Sequence, residues 1–186
     1  RITGTTTSPL TYNTDGTYTI LWTFDDKRGN VSTASQNITI DDTTPPVTPT
    51  LPTIVQQCSA TVNRPTTTDN CAGTLTGTTT SPLVYNTEGT YTITWTFDDL
   101  RGNIITANQT VIVDDTIAPV VPTLNTLTSQ CSVTVPTPSA TDNCSGIITG
   151  TTSSPLFYDT EGTYNINWTF NDGHGNISTA QQRVII

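Results

Sequence analysis

A fixed period of 73 residues constrains the fold of this 186-residue chain more than any other feature. Trp22 recurs as Trp95 and Trp168, and the segments "TYTILWTFDD", "TYTITWTFDD" and "TYNINWTFND" align around them without an insertion. A constant period of this length indicates a tandem array of one small domain. We therefore expect the C-terminal part of a truncated repeat followed by two further repeats. Their boundaries are 1–42, 43–115 and 116–186.

The segment "GTYTITWTF" alternates between an apolar and a polar face, as a half-buried β-strand does. Its apolar face carries Tyr91, Ile93, Trp95 and Phe97. A second strand, "ITANQTVIV", places Ala107, Val111 and Val113 inward, and "CSATV" and "GTLTGTTT" predict two more strands. Proline limits "VTPTLPT" to an edge strand at most. Short strands separated by Pro and Gly indicate an all-β sandwich or barrel.

The order of the strands favours a tandem array of immunoglobulin-like β-sandwiches that forms an extended rod. "EGTY" leads into the aromatic strand, as a corner turn with a following tyrosine does before strand F of that fold. Gln109 is unusual because it lies in the inward phase of the next strand. We expect its side chain to face the core and to hydrogen-bond to the backbone, since an unpaired buried amide is costly. A local bulge that turns Gln109 outward is the alternative.

The four cysteines recur at a constant offset: Cys58 and Cys71 lie 13 positions apart, as do Cys131 and Cys144. Two cysteines in each complete repeat predict one disulfide inside each repeat, Cys58–Cys71 and Cys131–Cys144. A zinc site lacks ligands because the chain contains a single histidine, His174. Disulfides form in oxidising compartments, so we expect an exported protein at the cell surface or outside the cell.

Acidic side chains outnumber basic ones and give the chain a formal net charge of −9 at pH 7. A protein that binds nucleic acid needs a basic face, so nucleic acid is not an expected partner. The charge instead suits a solvated extracellular surface or a cation as partner. No apolar run approaches the ~20 residues of a membrane-spanning helix, so we expect no membrane span in this segment.

Three elements of the repeat resemble the hyalin-repeat (HYR) family and its bacterial HYR-like relatives. They are "TDNCAG" or "TDNCSG", then "GTYTITWTFDDLRGN", then a strand that ends in "VDD". The resemblance implies immunoglobulin-like modules of the kind found in tandem in extracellular adhesion proteins. Thr-rich arrays with a Cys pair are similar to the stalks of large Bacteroidota surface adhesins, some of which serve attachment or gliding. The third copy departs from the pattern with Asn171 and "GHGN".

Paired acids follow the aromatic strand in "TFDDKRGN" and "TFDDLRGN". Asp99 and Gly102 suit the first and fourth positions of a type I turn, in which the Asp side chain bonds to the backbone ahead of it. Catalysis by such acids requires environments that split their pKa values, and no His, Lys or Cys partner recurs beside them. We therefore expect no catalytic residue and no enzyme.

A calcium site is the alternative to a set of solvated turn acids. In an immunoglobulin-like topology the B–C loop, the F–G loop and the incoming linker meet at the end where the chain enters the sandwich. Ca²⁺ takes about six to eight oxygen ligands, which several loops together could supply. The sequence thus predicts Ca²⁺ sites at the junctions between repeats. The candidate ligands are Asp41, Asp42, Asp69, Asp98, Asp99, Asp114, Asp115, Asp142 and Asp172.

Two linker threonines are candidate glycosylation sites. Thr43 in "DTT" and Thr116 in "DTI" resemble the Asp-Thr-aliphatic/Thr O-glycosylation site of Bacteroidota. The linker "DDTTPPVTP" adds consecutive prolines, which pre-set an extended chain and limit hinge motion.

These features together predict a structural stalk or spacer of a secreted or surface-anchored repetitive adhesin, which gives reach for attachment or gliding. Its expected partners are the neighbouring repeats of the same chain, with lateral, surface or glycan partners as additions. A glycan- or surface-binding module repeated along the rod is the alternative. Inward-phased aromatic residues argue against that module, because a stacking platform needs exposed rings.

Overall fold

Sixteen β-strands and no helix form the secondary structure of the computed structural model, which describes all of residues 1–186. The segment 1–42 contains β1 (Gly16–Asp25) and β2 (Val31–Ile40). Residues 43–115 contain β3 (Ile54–Gln56), β4 (Ala60–Thr61), β5 (Thr66–Asp69), β6 (Gly73–Thr76), β7 (Val84–Tyr85), β8 (Gly89–Asp98) and β9 (Ile104–Val113). Residues 116–186 contain β10 (Leu127–Thr128), β11 (Val133–Thr134), β12 (Ser139–Asp142), β13 (Gly146–Thr149), β14 (Phe157–Tyr158), β15 (Thr163–Asn171) and β16 (Ile177–Ile185).

The two complete repeats have the same strand connections. In 43–115, β9 lies between β8 and a parallel β3, while β4 pairs with β7 and β5 pairs with β6. In 116–186, β16 lies between β15 and a parallel β10, while β11 pairs with β14 and β12 pairs with β13. The protein is therefore all-β and consists of tandem immunoglobulin-like β-sandwich repeats, as the sequence predicts. No helix is long and apolar enough to cross a membrane.

The long strands follow the predicted alternation. Ile93, Trp95 and Phe97 of β8 are fully buried, whereas Thr92 and Thr94 on the opposite face are exposed. Burying an aliphatic or aromatic side chain of this size contributes roughly 1.5–3 kcal/mol. By contrast, residues 47–53 form no strand, and pairing to β9 begins only at Ile54. The two prolines of this segment, at positions 49 and 52, lack the N–H that a sheet needs.

The core of 116–186 shows how the aromatic strand packs. Its buried members are Val135, Ala140, Tyr158, Ile166, Trp168, Phe170 and Val184. Gly150 lies against this cluster, and a Cβ at that position would come within 2.9 Å of Cε1 of Phe170. Glycine therefore lets the phenyl ring pack directly on the neighbouring backbone.

Gln109 faces the core, as predicted, and is 6% exposed. The indole N–H of Trp95 donates to its Oε1 at 3.0 Å. In the next repeat, Trp168 donates to Gln182 at 3.1 Å, and Gln182 Nε2 donates to the carbonyl of Asn125 at 3.3 Å. The glutamine thus satisfies the buried indole N–H, a role that the sequence analysis did not assign to it.

The chain divides into two compact units, and each takes segments from neighbouring repeats. The first unit comprises Arg1–Leu51, Arg64–Ser81 and Ile93–Gln109. The second comprises Pro52–Asn63, Pro82–Thr92 and Thr110–Ile186. Strands β8 and β9 contribute one end to each unit. The assignment of 1–42, 43–115 and 116–186 as separate domains stays a prediction.

The structure contradicts both predicted disulfides. Cys58 is bonded to Cys144, with their Cα atoms 5.0 Å apart, and Cys71 and Cys131 are exposed free thiols. The bond therefore joins residues 43–115 to residues 116–186 rather than closing a loop inside one repeat.

The placement of each cysteine explains the error. Cys71 lies in the turn after β5, in the first unit, and lines the same surface cavity as Asp42. Cys58 follows β3 in the second unit, next to Gln57, whose side chain hydrogen-bonds to Thr116. Cys71 is thus beside the chain entering its repeat, and Cys58 is beside the chain leaving it.

Candidate functional site

The loop between β8 and β9 is held by the second acid of "TFDDLRGN". Asp99 Oδ1 accepts the backbone N–H groups of Arg101 at 2.8 Å and Asn103 at 3.0 Å, and Asp99 Oδ2 accepts Nδ2 of Asn103 at 2.7 Å. Asp172 makes the same three kinds of bond in the next repeat, with His174 and Asn176. The predicted role of this acid in capping the backbone is confirmed.

The predicted type I turn is wrong. Leu100 has a φ of +61°, whereas the second residue of a type I turn has a φ near −60°. Gly102 has a φ of +105°, and the N–H of Asp99 donates to the carbonyl of Asn103 at 3.2 Å. The loop is therefore one residue longer than a β-turn, and the side chain of Asp99 fills its centre.

Hydrogen bonding decides the charge state of these loop acids. Burial by itself raises the pKa of Asp99, but the hydrogen bonds from Asn103 and the backbone N–H groups outweigh it and leave the pKa below its usual value. The same balance lowers the pKa of Asp172. Each loop therefore places an ionised carboxylate in a largely buried position.

Asp99 belongs to a cluster of three buried acids, which we call the first acid cluster. Its other members are Asp42, at the end of the chain segment that enters the repeat, and Asp69, at the end of β5. One carboxylate oxygen from each of the three lies within 4.8 Å of the others. Asn103 ties the cluster together, because its Nδ2 donates to the carbonyl of Asp42 at 2.9 Å as well as to Asp99.

Asp42 and Asp69 each use one oxygen for turns and leave the other without a partner. Asp42 Oδ1 accepts the N–H of Thr44 at 3.1 Å, and Asp69 Oδ1 accepts those of Cys71 and Ala72 at 2.8 and 2.7 Å. Both Oδ2 atoms are buried and have no hydrogen-bond partner. Buried polar atoms normally have partners, so two orphan oxygens on clustered anions indicate room for a cation.

Two of the three acids recur in this arrangement 73 residues later as the second acid cluster, Asp115 and Asp142, to which Asp172 does not belong. Their Oδ1 atoms accept backbone N–H groups, and both Oδ2 atoms are again buried without a partner. Asn176 Nδ2 donates to the carbonyl of Asp115 at 2.8 Å and to Asp172 Oδ2 at 2.7 Å. Cys144 Sγ also lies within 4.8 Å, but its disulfide removes the thiolate that a metal would bind.

Asp41, Asp98 and Asp114 are exposed, and none of them belongs to either cluster. Each immediately precedes an acid that does point inward. The sequence contained a signal that separates the inward acids from the exposed ones, namely the alternation of inward and outward residues along each strand. Phe97 and Val113 are buried, so the positions two residues further on, Asp99 and Asp115, continue the inward phase.

Beside each cluster is an ion pair that the sequence analysis did not predict. Arg101 Nη1 lies 2.5 Å from Asp15 Oδ1, and His174 Nδ1 lies 2.8 Å from Glu88 Oε2. The hydrogen bond to Glu88 raises the pKa of His174, and the bond from His174 lowers the pKa of Glu88. Each pair joins the loop after an aromatic strand to the "DGT" or "EGT" turn of the preceding copy.

The first cluster offers hard carboxylate oxygens from three chain segments and the second from two, and this is the donor type that Ca²⁺ takes in proteins. Both clusters are compatible with Ca²⁺ on this chemistry. Each member already caps a turn, so the backbone fixes the position of the free oxygen. The predicted glycosylation sites Thr43 and Thr116 are both exposed, although the Thr116 hydroxyl accepts Nε2 of Gln57 at 2.8 Å. Glycosylation at either threonine stays a prediction.

The chain is similar in sequence to two hyalins. It is 36% identical to hyalin of Strongylocentrotus purpuratus over 203 aligned residues, covering 96% of this chain and 17% of that protein. It is 33% identical to hyalin of Lytechinus variegatus over 185 residues, covering 87% of this chain and 35% of that protein. No protein-family model matches the chain. The bacterial relatives expected from the Thr-rich pattern stay a prediction.

Several solved structures of cadherin extracellular domains are similar to the chain in backbone arrangement. Mouse clustered PcdhgC3 EC1-3 has a TM-score of 0.36 and 14% identity, covering 92% of this chain and 76% of that chain. Drosophila N-cadherin EC1-4 has a TM-score of 0.35 and 11% identity, covering 92% of this chain and 57% of that chain.

Proposed function

We propose that this chain is a hyalin-type repeat segment of an extracellular adhesive or structural protein, in which the repeats act as a stalk or spacer. The similarity to two hyalins over 96% and 87% of the chain supports the repeat type and a non-enzymatic role. Those hyalins extend well beyond the segment matched here, so the activity of the whole protein is part of the proposal.

The observation that carries a spacer function is the series of bonds between 43–115 and 116–186. Gln57 exchanges two hydrogen bonds with Thr116, at 2.8 and 3.0 Å, and Cys58 is covalently bonded to Cys144. The N–H of Asp115 donates to Glu88 at 3.0 Å. A spacer must hold one repeat to the next, and these bonds supply that connection.

We also propose that Ca²⁺ binds the two acid clusters and stiffens the chain around them. Without a cation, the Asp42, Asp69 and Asp99 carboxylates repel one another and two buried oxygens stay unpaired. Bound Ca²⁺ would satisfy these oxygens and join the entering chain segment to the loops after β5 and β8. Asp42 and Asp115, one in each cluster, would be its ligands from the linkers.

Calcium binding is tested by thermal unfolding of the chain in EDTA and in millimolar CaCl₂. We expect Ca²⁺ to raise Tm. One bound site adds about 2.7 kcal/mol to the free energy of unfolding when Ca²⁺ is at a hundredfold excess over Kd. The double variant Asp42→Asn/Asp115→Asn should lose most of this rise. The matched control, Asp41→Asn/Asp114→Asn, changes the exposed neighbours and should keep it. An equal Tm in EDTA and Ca²⁺ for the unmodified chain would show that the acids only form turns.

The spacer function is tested against the glycan-binding alternative by applying the labelled chain to a glycan array, with and without Ca²⁺. A spacer should show no saturable binding. Phe157 is 56% exposed, but Val84 and Thr11 hold the equivalent positions, so the exposed ring is not repeated along the array. Saturable binding that is lost in Phe157→Ala would favour the glycan-binding module instead.

A further inference from the structure

We propose that Cys71 and Cys131 are half-sites of a disulfide ladder, in which the first cysteine of each repeat pairs with the second cysteine of the next repeat. Cys58 and Cys131 are first cysteines in this sense, and Cys71 and Cys144 are second cysteines. The bond that the structure contains, Cys58–Cys144, spans a sequence separation of 86, which is one 73-residue period plus the 13-residue offset within a repeat.

Polar side chains from both repeats lie next to the existing bond. Asn143 Nδ2 lies 2.9 Å from Cys144 Sγ and 3.4 Å from Cys58 Sγ, so one amide contacts both sulfurs. Glu88, which pairs with His174, lines the same cavity as the two cysteines. The disulfide is therefore one component of an interface that the neighbouring side chains also form.

The surroundings of Cys71 reproduce those of Cys144. The N–H of Cys71 donates to Asp69 Oδ1 at 2.8 Å, as the N–H of Cys144 donates to Asp142 Oδ1 at 2.8 Å. Asn70 Nδ2 contacts Cys71 Sγ at 3.1 Å, which matches the contact of Asn143 with Cys144.

The ion pair beside Cys71 is also reproduced. Asp15 and Arg101 stand where Glu88 and His174 stand at the second junction, and they line a cavity of about 260 Å³ with Cys71. At the second junction the corresponding cavity is lined by Cys58 as well as by Cys144. The site at Cys71 thus has the aspartate-capped turn, the asparagine contact and the ion pair of the bonded site, but no first cysteine.

Cys131 is the complementary half-site. It follows β10 as Cys58 follows β3, it is exposed, and it is a free thiol. Its partner in the ladder is a second cysteine 86 positions further along an array of the same repeat. Each bond forms when two thiols lose two protons and two electrons, which a small-molecule disulfide such as oxidised glutathione accepts through thiol–disulfide exchange.

The ladder is tested by extending the chain with one more repeat. A copy of residues 114–186 is joined after Ile186, which continues the 73-residue period without a break. The protein is folded in a glutathione redox buffer, its free thiols are alkylated, and the peptides are mapped without reduction. We expect two cross-links, Cys58–Cys144 and Cys131 to the Cys144 of the copy, and alkylation of Cys71 and of the Cys131 of the copy.

Two control proteins are analysed in the same way, the unextended chain and a serine variant of the extended chain. The unextended chain should give the Cys58–Cys144 cross-link alone, with Cys71 and Cys131 alkylated. In the extended chain, replacing the Cys144 of the copy by serine should leave Cys131 fully alkylated. A Cys58–Cys71 or Cys131–Cys144 cross-link in either protein, or full alkylation of Cys131 in the extended chain, would overturn the ladder.

Discussion

Leu100 occupies a backbone conformation that leucine rarely adopts. Its φ is +61°, Lys27 has a φ of +58° at the equivalent position of the first copy, and Gly173 has +85° in the third. A residue with a Cβ pays roughly 1 kcal/mol or more in the left-handed region, whereas glycine does not. The first two copies therefore carry a strain that the third copy avoids.

We expect Leu100→Gly to raise the free energy of unfolding by about 0.5–1 kcal/mol, the relief of strain less the extra freedom of glycine in the unfolded chain. Little packing is lost, because Leu100 is 88% exposed. Urea denaturation measures the change, with Leu100→Ala as the matched control that keeps the Cβ. If the alanine variant is as stable as the glycine variant, the positive φ is not the source of the strain.

Residue-level chemistry was only partly predictable. The capping by Asp99 follows from residue type, because a short carboxylate readily bonds to the backbone two residues ahead. The positive φ of Leu100 does not follow, since leucine carries no signal for it and only Gly173 of the third copy hints at it. The orphan oxygens of Asp42 and Asp69 were equally hidden, because they depend on three segments that fold together.

At the scale of elements, the loop between β15 and β16 meets the turn before β8 through His174 and Glu88. The corresponding elements of the preceding junction meet through Arg101 and Asp15. The two junctions therefore differ in their cation, which is an imidazole in one and a guanidinium in the other.

We expect the stability contributed by the His174–Glu88 pair to fall as the pH rises. The pKa of His174 is raised in the folded protein, so its stabilising charge is fully present below the unfolded pKa and is lost as the pH passes the folded pKa. The other acids that raise this pKa are Asp172 and Asp115. Melting curves in EDTA between pH 5.5 and 8.5 measure the effect.

The matched variant is His174→Arg, which copies Arg101 and should remove this decline near neutral pH. At acid pH, where His174 is charged, the variant and the unmodified chain should have similar Tm values. A Tm of the unmodified chain that is flat from pH 6 to 8, or a decline that persists in His174→Arg, would show that the pair does not contribute.

The long strands were predicted with their buried faces, whereas among the short ones "CSATV" and "GTLTGTTT" contain β4 and β6 but no strand was predicted at β5 or β7. The alternation of apolar and polar residues over ten residues identified β8 and β9 together with their buried faces. β7 has two residues and β5 has four, too few for a periodic pattern. The parallel pairing of β3 with β9 joins residues far apart in sequence, and the local sequence gives no sign of it.

At the scale of the whole molecule, the disulfide error has a general cause. Cysteines that repeat with a constant period are equally consistent with a bond inside each repeat and with a bond to the next repeat. The 13-residue offset alone cannot distinguish a separation of 13 from one of 86. The distinction depends on which end of the sandwich each cysteine occupies, and that is known only once the strands are placed.

The Cys58–Cys144 bond should change how far the chain extends when it is pulled from its termini. The bond excludes 86 residues from the stretched path. We expect reduction to lengthen the fully unfolded chain by about 290 Å, at roughly 3.4 Å per residue. Force spectroscopy with and without reductant measures this length. Cys144→Ser should give the longer value without reductant, while the control Cys71→Ser should keep the shorter one; equal lengths before and after reduction would contradict the bond.

A disulfide that crosses to the next repeat also limits how far a long array can stretch. In a ladder of such bonds, successive loops overlap, since Cys131 precedes Cys144 in the sequence. The shortest covalent path along the array then crosses one disulfide per repeat and follows the chain only for the 13 residues between the two cysteines of that repeat. Those 13 residues extend to about 45 Å, whereas a whole repeat extends to about 250 Å. An array joined in this way gains almost no length when its repeats unfold under force. It would transmit a sudden pull between attached surfaces instead of absorbing it by unfolding.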